Sequence, residues 1–268
     1  MSKKSRKDPL SYCKRTYRQW IDPTGLLGFE VKIRETDLHI QAPRDIAELS
    51  SLSAHTKLMP LRYMQGLARH LVIQYRSHLE GYIASHPKFL TSFAPLPADP
   101  LAPSLVKEML KAGQTAGVGP MAAVAGAIAE FVGRDLLAAG AAEIIVENGG
   151  DIFLSRVNPC TISIFAGSSP LSDCLGVRLA AGAQGVCTSS GTVGHSISFG
   201  RADAVTVVAR STALADAAAT RLGNAVKVEA DIAGALELAK AIPGLNGAVI
   251  VMGSRFGAWG DVELVRLD

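Results

Sequence analysis

Between positions 28 and 42 apolar and polar residues nearly alternate, with Phe29, Val31 and Ile33 followed by Leu38 and Ile40. A period of two marks half-buried strands, and the polar run Glu35-Thr36-Asp37 predicts the turn of a hairpin between them. After position 59 the period changes. Leu61, Met64, Leu67, Leu71 and Ile73 fall at helical spacing, which predicts one long amphipathic helix over 59–83 that stops before Pro87. Four prolines between 93 and 103 read as a connector, the one place for an internal boundary. A helix over 104–112 then leads to Gly117-Val118-Gly119-Pro120, and a helix rich in small residues follows over 121–139, closed by Gly140. Strands are expected at 143–147, 152–155, 161–165, 175–179, 185–188 and 204–209. Helices at 213–226 and 230–241 and strands at 248–252 and 262–266 complete the chain. Strands and helices are segregated in sequence, which predicts an α+β fold rather than a doubly wound sheet.

Composition narrows the class. The 268 residues are 48% hydrophobic and 19% charged, a globular balance, with only 6% aromatic residues to stack on a ligand. The net charge is +3, and much of the basic excess lies in the first 18 residues (Lys3, Lys4, Arg6, Lys7, Lys14, Arg15, Arg18). No aromatic or basic stripe continues that run, so it reads as a solvated tail over 1–27 ahead of a single domain over 28–268. Neither a nucleic-acid nor a membrane partner is expected. No apolar segment follows the basic start as a secretory signal requires. Cys13, Cys160, Cys174 and Cys187 form no CxxC pair and read as free thiols of a reducing compartment. The expected location is cytoplasmic.

Four segments could carry chemistry, and each has a plain structural alternative. Gly117 and Gly119 open a helix, where backbone N–H groups and the helix dipole attract an anion; an ordinary turn between helices explains them equally. The string fits GxGxxG/A, but a helix rather than a strand precedes it, so the dinucleotide-fold context is missing. Asn148-Gly149-Gly150-Asp151 is a strong hairpin signal that could also bring N–H groups and a carboxylate to a phosphate. Thr188-Ser189-Ser190-Gly191 supplies neutral donors, with His195 nearby as a proton acceptor, or else forms a polar loop. Asp216 and Thr220 lie one helical turn apart, and two hard oxygens on one face suit Mg²⁺; a helix-start Asp and a back-bonding Thr are the alternative.

The order of these segments resembles the ApbE-like superfamily, the FAD:protein FMN transferases. The strings GVGPMAAVAGAIAE, ENGGDI, TSSGTVGHS and ADAAAT look closest to a cytoplasmic branch of it. The resemblance implies a T-fold-related architecture in which antiparallel sheets and helices surround a central cleft. It also implies Mg²⁺ held by Asp216, Thr220 and the Val124 carbonyl, with FAD or FMN bound by Gly126 and by the Gly149-Gly150-Asp151 turn. His195 matches the histidine that follows the hydroxyl loop. The family segment GGxAKGxxxD aligns on 121–130, where Gly126 is kept, the Asp becomes Glu130 and the Lys becomes Ala125. Loss of that cation removes a charge-assisted contact. Three readings follow. One is Mg²⁺-dependent flavin-nucleotide binding, extending to transfer of FMN to a protein hydroxyl with His195 as base. Another is a non-catalytic flavin-binding or partner protein, since relatives of the branch are associated with sulfide assimilation into homocysteine. The third is a serine hydrolase built on Ser189 or Ser190 with His195, although no GxSxG elbow is present.

Overall fold

The computed structural model describes residues 26–43, 59–193 and 198–267. The basic run and His195 lie outside them. Alternation does set the first hairpin: in β1 (Leu26–Ile33) Phe29 and Val31 are buried while Glu30 and Lys32 are exposed. Its partner β2 (Thr36–Pro43) pairs antiparallel, Val31 opposite Leu38. The turn is Arg34-Glu35 rather than Glu35-Thr36-Asp37, with Arg34 at φ 52°, and Thr36 and Asp37 are buried in β2. A two-residue turn with positive φ matches the strand twist better than a three-residue polar one.

The chain continues as α1 (Met59–Ser85), the short α2 (Lys88–Thr91), α3 (Ser104–Ala116), a 3₁₀ turn (Pro120–Ala123) and α4 (Val124–Ala138). The single helix expected over 121–139 is thus divided, with Pro120 in the 3₁₀ turn where its missing donor costs little. Next come β3 (Ile144–Asn148), β4 (Asp151–Arg156), β5 (Cys160–Ser163), β6 (Leu175–Leu179), β7 (Gly182–Ser189) and β8 (Ala204–Ala209). Helices α5 (Thr212–Ala225) and α6 (Asp231–Ala241) precede β9 (Leu245–Met252), β10 (Arg255–Gly260) and β11 (Glu263–Arg266).

An eight-stranded sheet runs in the order β1-β2-β3-β4-β7-β8-β9-β10, and β11-β6-β5 form a second sheet; every pair is antiparallel. Two hydrophobic clusters show how the layers stack. Ile40, Val146, Phe153, Val205 and Val207 join the helices in one cluster. Leu154, Val186, Val208 and Val251 meet Val177 and Leu179 of the small sheet in the other. The large sheet is therefore covered by helices on one face and by the three-stranded sheet on the other. All six residues of β8 are buried, because both its faces are covered.

The proline-rich connector is bound to the helices around it. Tyr82 Oη donates to Asp99 (2.9 Å), Gln114 Nε2 to the Leu96 carbonyl (2.7 Å) and the Gly119 N–H to the Phe93 carbonyl (2.9 Å). Among the described residues no single helix is long and apolar enough to cross a membrane.

Candidate functional site

Helices α4 and α5 cross with almost no space between them. A Cβ on Gly126 would lie 2.4 Å from the Thr212 carbonyl oxygen and 2.8 Å from Asp216 Cβ, so only glycine allows this approach. The crossing lets each helix cap the other. Asp216 of α5 accepts from the Gly126 N–H at the start of α4 (2.9 Å), and the Ala125 N–H bonds to it as well. In return, Glu130 of α4 accepts from the Thr212 N–H (2.7 Å) and the Ala213 N–H (3.3 Å) at the start of α5. Both carboxylates answer helix-start donors that have no partner within their own helix.

The sheet brings further groups to the same place. Residues of β3, β4 and β7 that face the helices include Asn148, Asp151 and Cys187. Asn148 Nδ2 donates to the Ala125 carbonyl (3.1 Å), fixing the turn of β3 to the first turn of α4. Asp151 stands opposite Cys187 across the β4–β7 pair. The Cys187 thiol lies against the Thr212 carbonyl (3.3 Å) and the Asp151 carboxylate. Burial first, and the facing Asp151 charge second, hold the Asp216 carboxyl well above the ordinary carboxylate value, while the two α4 amides pull it down. Burial and the same two carboxylates push the Cys187 thiol well above its usual value.

Of the sequence-derived residues, then, Gly126, Asn148, Asp151 and Asp216 are brought together. Val124 sits beside them at the first position of α4; its carbonyl, like any helical one, keeps a second lone pair. Thr220 lies one turn beyond Asp216 on α5, and both are partly exposed between the buried residues Ala217, Ala218 and Ala219.

Other expectations are corrected. Gly117, at φ 75°, is the left-handed C-cap of α3, and its N–H bonds to the Gly113 carbonyl. The Gly119 N–H is taken by Phe93, and a Cβ at Gly119 would lie 1.8 Å from the Ser92 oxygen. Neither glycine presents a free donor; Gly117 serves the left-handed cap and Gly119 the close packing. The Gly149 and Gly150 N–H groups also have an internal partner, since both donate to Glu147 Oε1 (2.7 and 3.1 Å). The carboxylate just before the turn occupies the concavity assigned to phosphate. Thr188 points to the other face of the sheet, where its hydroxyl meets that of Thr206 (2.9 Å). Ser190 Oγ closes a local turn by accepting from the Thr192 and Val193 N–H groups (3.1 and 2.8 Å). Ser189, by contrast, shares the helix-facing side of β7 with Cys187 and lies near Gly223 of α5.

Sequence reasoning missed Glu147 and Cys187. Glu147 lies two and three residues before the glycines it binds and was legible as their partner, whereas nothing local to Cys187 shows its neighbours. Among the described residues no group of three or more His, Cys, Asp or Glu is placed to hold a metal ion. Two surface cavities, of about 300 Å³ between β1 and α1 and about 500 Å³ beside α2, contain none of the residues brought together here.

Comparison with known proteins adds ancestry to this geometry. A family model described as AbpE bacteria matches residues 18–263. UPF0280 proteins of Methanococcus aeolicus and Methanocaldococcus jannaschii are 45% and 46% identical over 209 residues, covering 75% of this chain and 84% of each relative. In shape the chain is similar to the apo form of the Pseudomonas stutzeri flavinyl transferase ApbE, with a TM-score of 0.53 over 87% of this chain and 93% of that one. At 16% identity that likeness is one of fold, and it carries the α+β arrangement of antiparallel sheets and helices expected from the sequence.

Proposed function

We propose, for a chain that belongs to the AbpE bacteria family, the divalent-metal-dependent binding of a flavin nucleotide, FAD or FMN, at the crossing of α4 and α5. The observation that carries this reading is the Asp216 carboxylate, held by two α4 amides, beside a second carboxylate and one turn from the Thr220 hydroxyl. The groups fit a cation. Asp151 opposes the charge of Asp216, and a divalent ion between oxygen donors would turn that repulsion into attraction. Mg²⁺ favours such sites, where one or two carboxylates leave coordination places for phosphates and water. Asp216, Thr220 and the Val124 carbonyl would hold it, and it would supply charge to polarise a phosphoryl group.

The residues of the chain have separate tasks in this reading. The Gly126 and Ala125 amides fix one face of the Asp216 carboxylate and leave the remaining lone pairs for the ion. Asn148 ties the sheet to α4, so that Asp151 and Asp216 keep their spacing. Transfer is a second step beyond binding. In it a hydroxyl oxygen would bond to the FMN phosphorus, the pyrophosphate bridge would break and AMP would leave. Ala125 supplies no cation there, which favours binding without transfer, and His195 as acceptor of the hydroxyl proton remains a proposal from the sequence.

Calorimetric titration of FAD, FMN and ADP with and without Mg²⁺ tests the reading. Asp216→Asn keeps an oxygen acceptor for the α4 amides and removes the charge. It should weaken binding roughly 10- to 100-fold with Mg²⁺ present and leave metal-free binding little changed. Equal weakening in both conditions would remove the metal from the account. Release of AMP from FAD together with FMN bonded to an acceptor peptide would make the chain a transferase rather than a binder.

A further inference from the structure

One stripe of α5 continues past the proposed metal site. Asp216, Thr220 and Asn224 recur every fourth residue, and all three are partly exposed where Leu222 and Gly223 beside them are buried. At a helical rise of about 1.5 Å per residue, Asn224 lies about 12 Å along the axis from Asp216. Its side chain is engaged: Oδ1 accepts from the Phe199 N–H (2.8 Å). The next residue, Gly200, approaches α5 so closely that a Cβ there would lie 1.7 Å from the Gly223 carbonyl oxygen. The Arg201 N–H bonds to Val226 just past the helix (2.8 Å). The backbone of Phe199 is thus fixed to the far end of the stripe.

A second aromatic residue meets it from the other side. Phe93 belongs to the proline-rich connector, and its carbonyl accepts from Gly119, immediately ahead of the 3₁₀ turn that leads into α4. The Phe93 and Phe199 rings pack edge to face, with centroids 5.3 Å apart and planes at 72°. Both remain largely in solvent, at 65% and 51% exposure. These contacts close a circuit. It runs from Asp216 to the start of α4, back through Gly119 to Phe93, across to Phe199, and along α5 through Asn224 to Asp216. Thr220 lies within it, and so do the partly exposed Met121 and Ala122. A polar end with two carboxylates and an apolar aromatic end share one rim.

Exposed aromatic rings on restrained backbone suit a planar ligand, because little conformational freedom remains to be lost when the ligand stacks. The rise from Asp216 to Asn224, which holds the Phe199 backbone, is on the scale of a mononucleotide extended from its phosphate to its ring. We infer that Phe93 and Phe199 form the stacking face for the fused heteroaromatic ring of the nucleotide whose phosphates lie at Asp216 and Thr220. The inference rests on the function proposed above and adds the residues that select an aromatic ring.

Flavin fluorescence separates the two ideas. An indole in contact with a flavin quenches its emission by electron transfer, whereas phenylalanine does not. With FMN and Mg²⁺, Phe199→Trp and Phe93→Trp should each quench the bound flavin beyond the native level. Phe256→Trp, placed on the exposed Phe256 of β10, should not. Calorimetry on Phe199→Ala and Phe93→Ala should show a loss of roughly 10-fold in affinity for FMN or for ADP, whichever ring occupies the face. Inorganic pyrophosphate, which has no ring, should bind these variants as it binds the native protein. Unchanged nucleotide affinity together with no added quenching would overturn the stacking face and leave the metal site standing. If the native protein binds no flavin or adenine nucleotide with Mg²⁺, the functional reading falls, and the stacking face falls with it. Circular dichroism and thermal melts on each variant confirm that the exposed substitutions leave the fold intact.

Discussion

Glu130 and Asp216 make the same bond in mirrored positions and have opposite surroundings. Each leaves its own helix to accept from the first N–H groups of the other. Glu130 is 1% exposed and pairs with the Arg134 guanidinium, and Ser211 Oγ donates to it (3.4 Å). Asp216 is partly exposed and faces a second carboxylate. A carboxylate on a helix start is therefore not in itself a sign of function. What separates the structural cap from the candidate site is the dominant neighbouring charge, the Arg134 guanidinium, which outweighs Glu108, in one case and the Asp151 carboxylate in the other.

The largest effect should come from removing the crossing on which both caps depend. Gly126→Ala places a methyl group against the Thr212 carbonyl, and the helices must separate. A loss of about 3 kcal/mol in urea-unfolding free energy is expected, at the upper end for overpacking, together with loss of nucleotide binding. A variant of native stability would mean that the two caps are independent of the close approach.

Next in size is the contrast between the caps themselves. Glu130→Ala leaves the buried Thr212 and Ala213 amides without their acceptor and should cost about 2 kcal/mol. Asp216→Ala in metal-free buffer should cost less, because the same change relieves repulsion from Asp151. Equal losses would make the two caps energetically alike.

The smallest effect concerns pH. Burial raises the Glu130 carboxyl above its ordinary value, while Arg134 and the two amides oppose the rise. A raised carboxyl contributes stability that is present below its unfolded pKa and is lost as pH rises through the folded one. Measured by urea unfolding between about pH 5 and pH 7, Glu130→Gln should therefore gain on the native protein as pH rises. A gap that widens against the variant would show that the charged pair with Arg134 outweighs burial.

Local chemistry made much of this legible beforehand. The Asn148-Gly149-Gly150-Asp151 hairpin follows from its turn residues, and β6 and β8 fall where their apolar runs place them. Strand β10 was missed because Gly257 and Gly260 interrupt a short segment with no clear alternation. At the site, the i, i+4 spacing of Asp216 and Thr220 could be read directly. Two things could not. The meeting of Asp151 with Asp216 depends on the β4–β7 pairing and on the α4–α5 crossing, both long-range. The loss of the Gly119 amide as an anion donor depends on Phe93 reaching it from the connector. Motif reasoning identifies donors, whereas only the fold decides which of them are already taken.

Cys187 carries one more consequence, and it is kinetic. Its sulfur is fully buried beneath α5, whereas Cys174 is exposed and Cys160 lies between. A thiol reagent can reach Cys187 only in molecules whose helix layer has lifted from the sheet, so its labelling rate is a clock for that opening. Because Asp151 and Asp216 sit beside the same sulfur, anything that draws the two carboxylates together slows the clock. The protein thus contains an intrinsic reporter, at a single atom, of how tightly its helix layer is held.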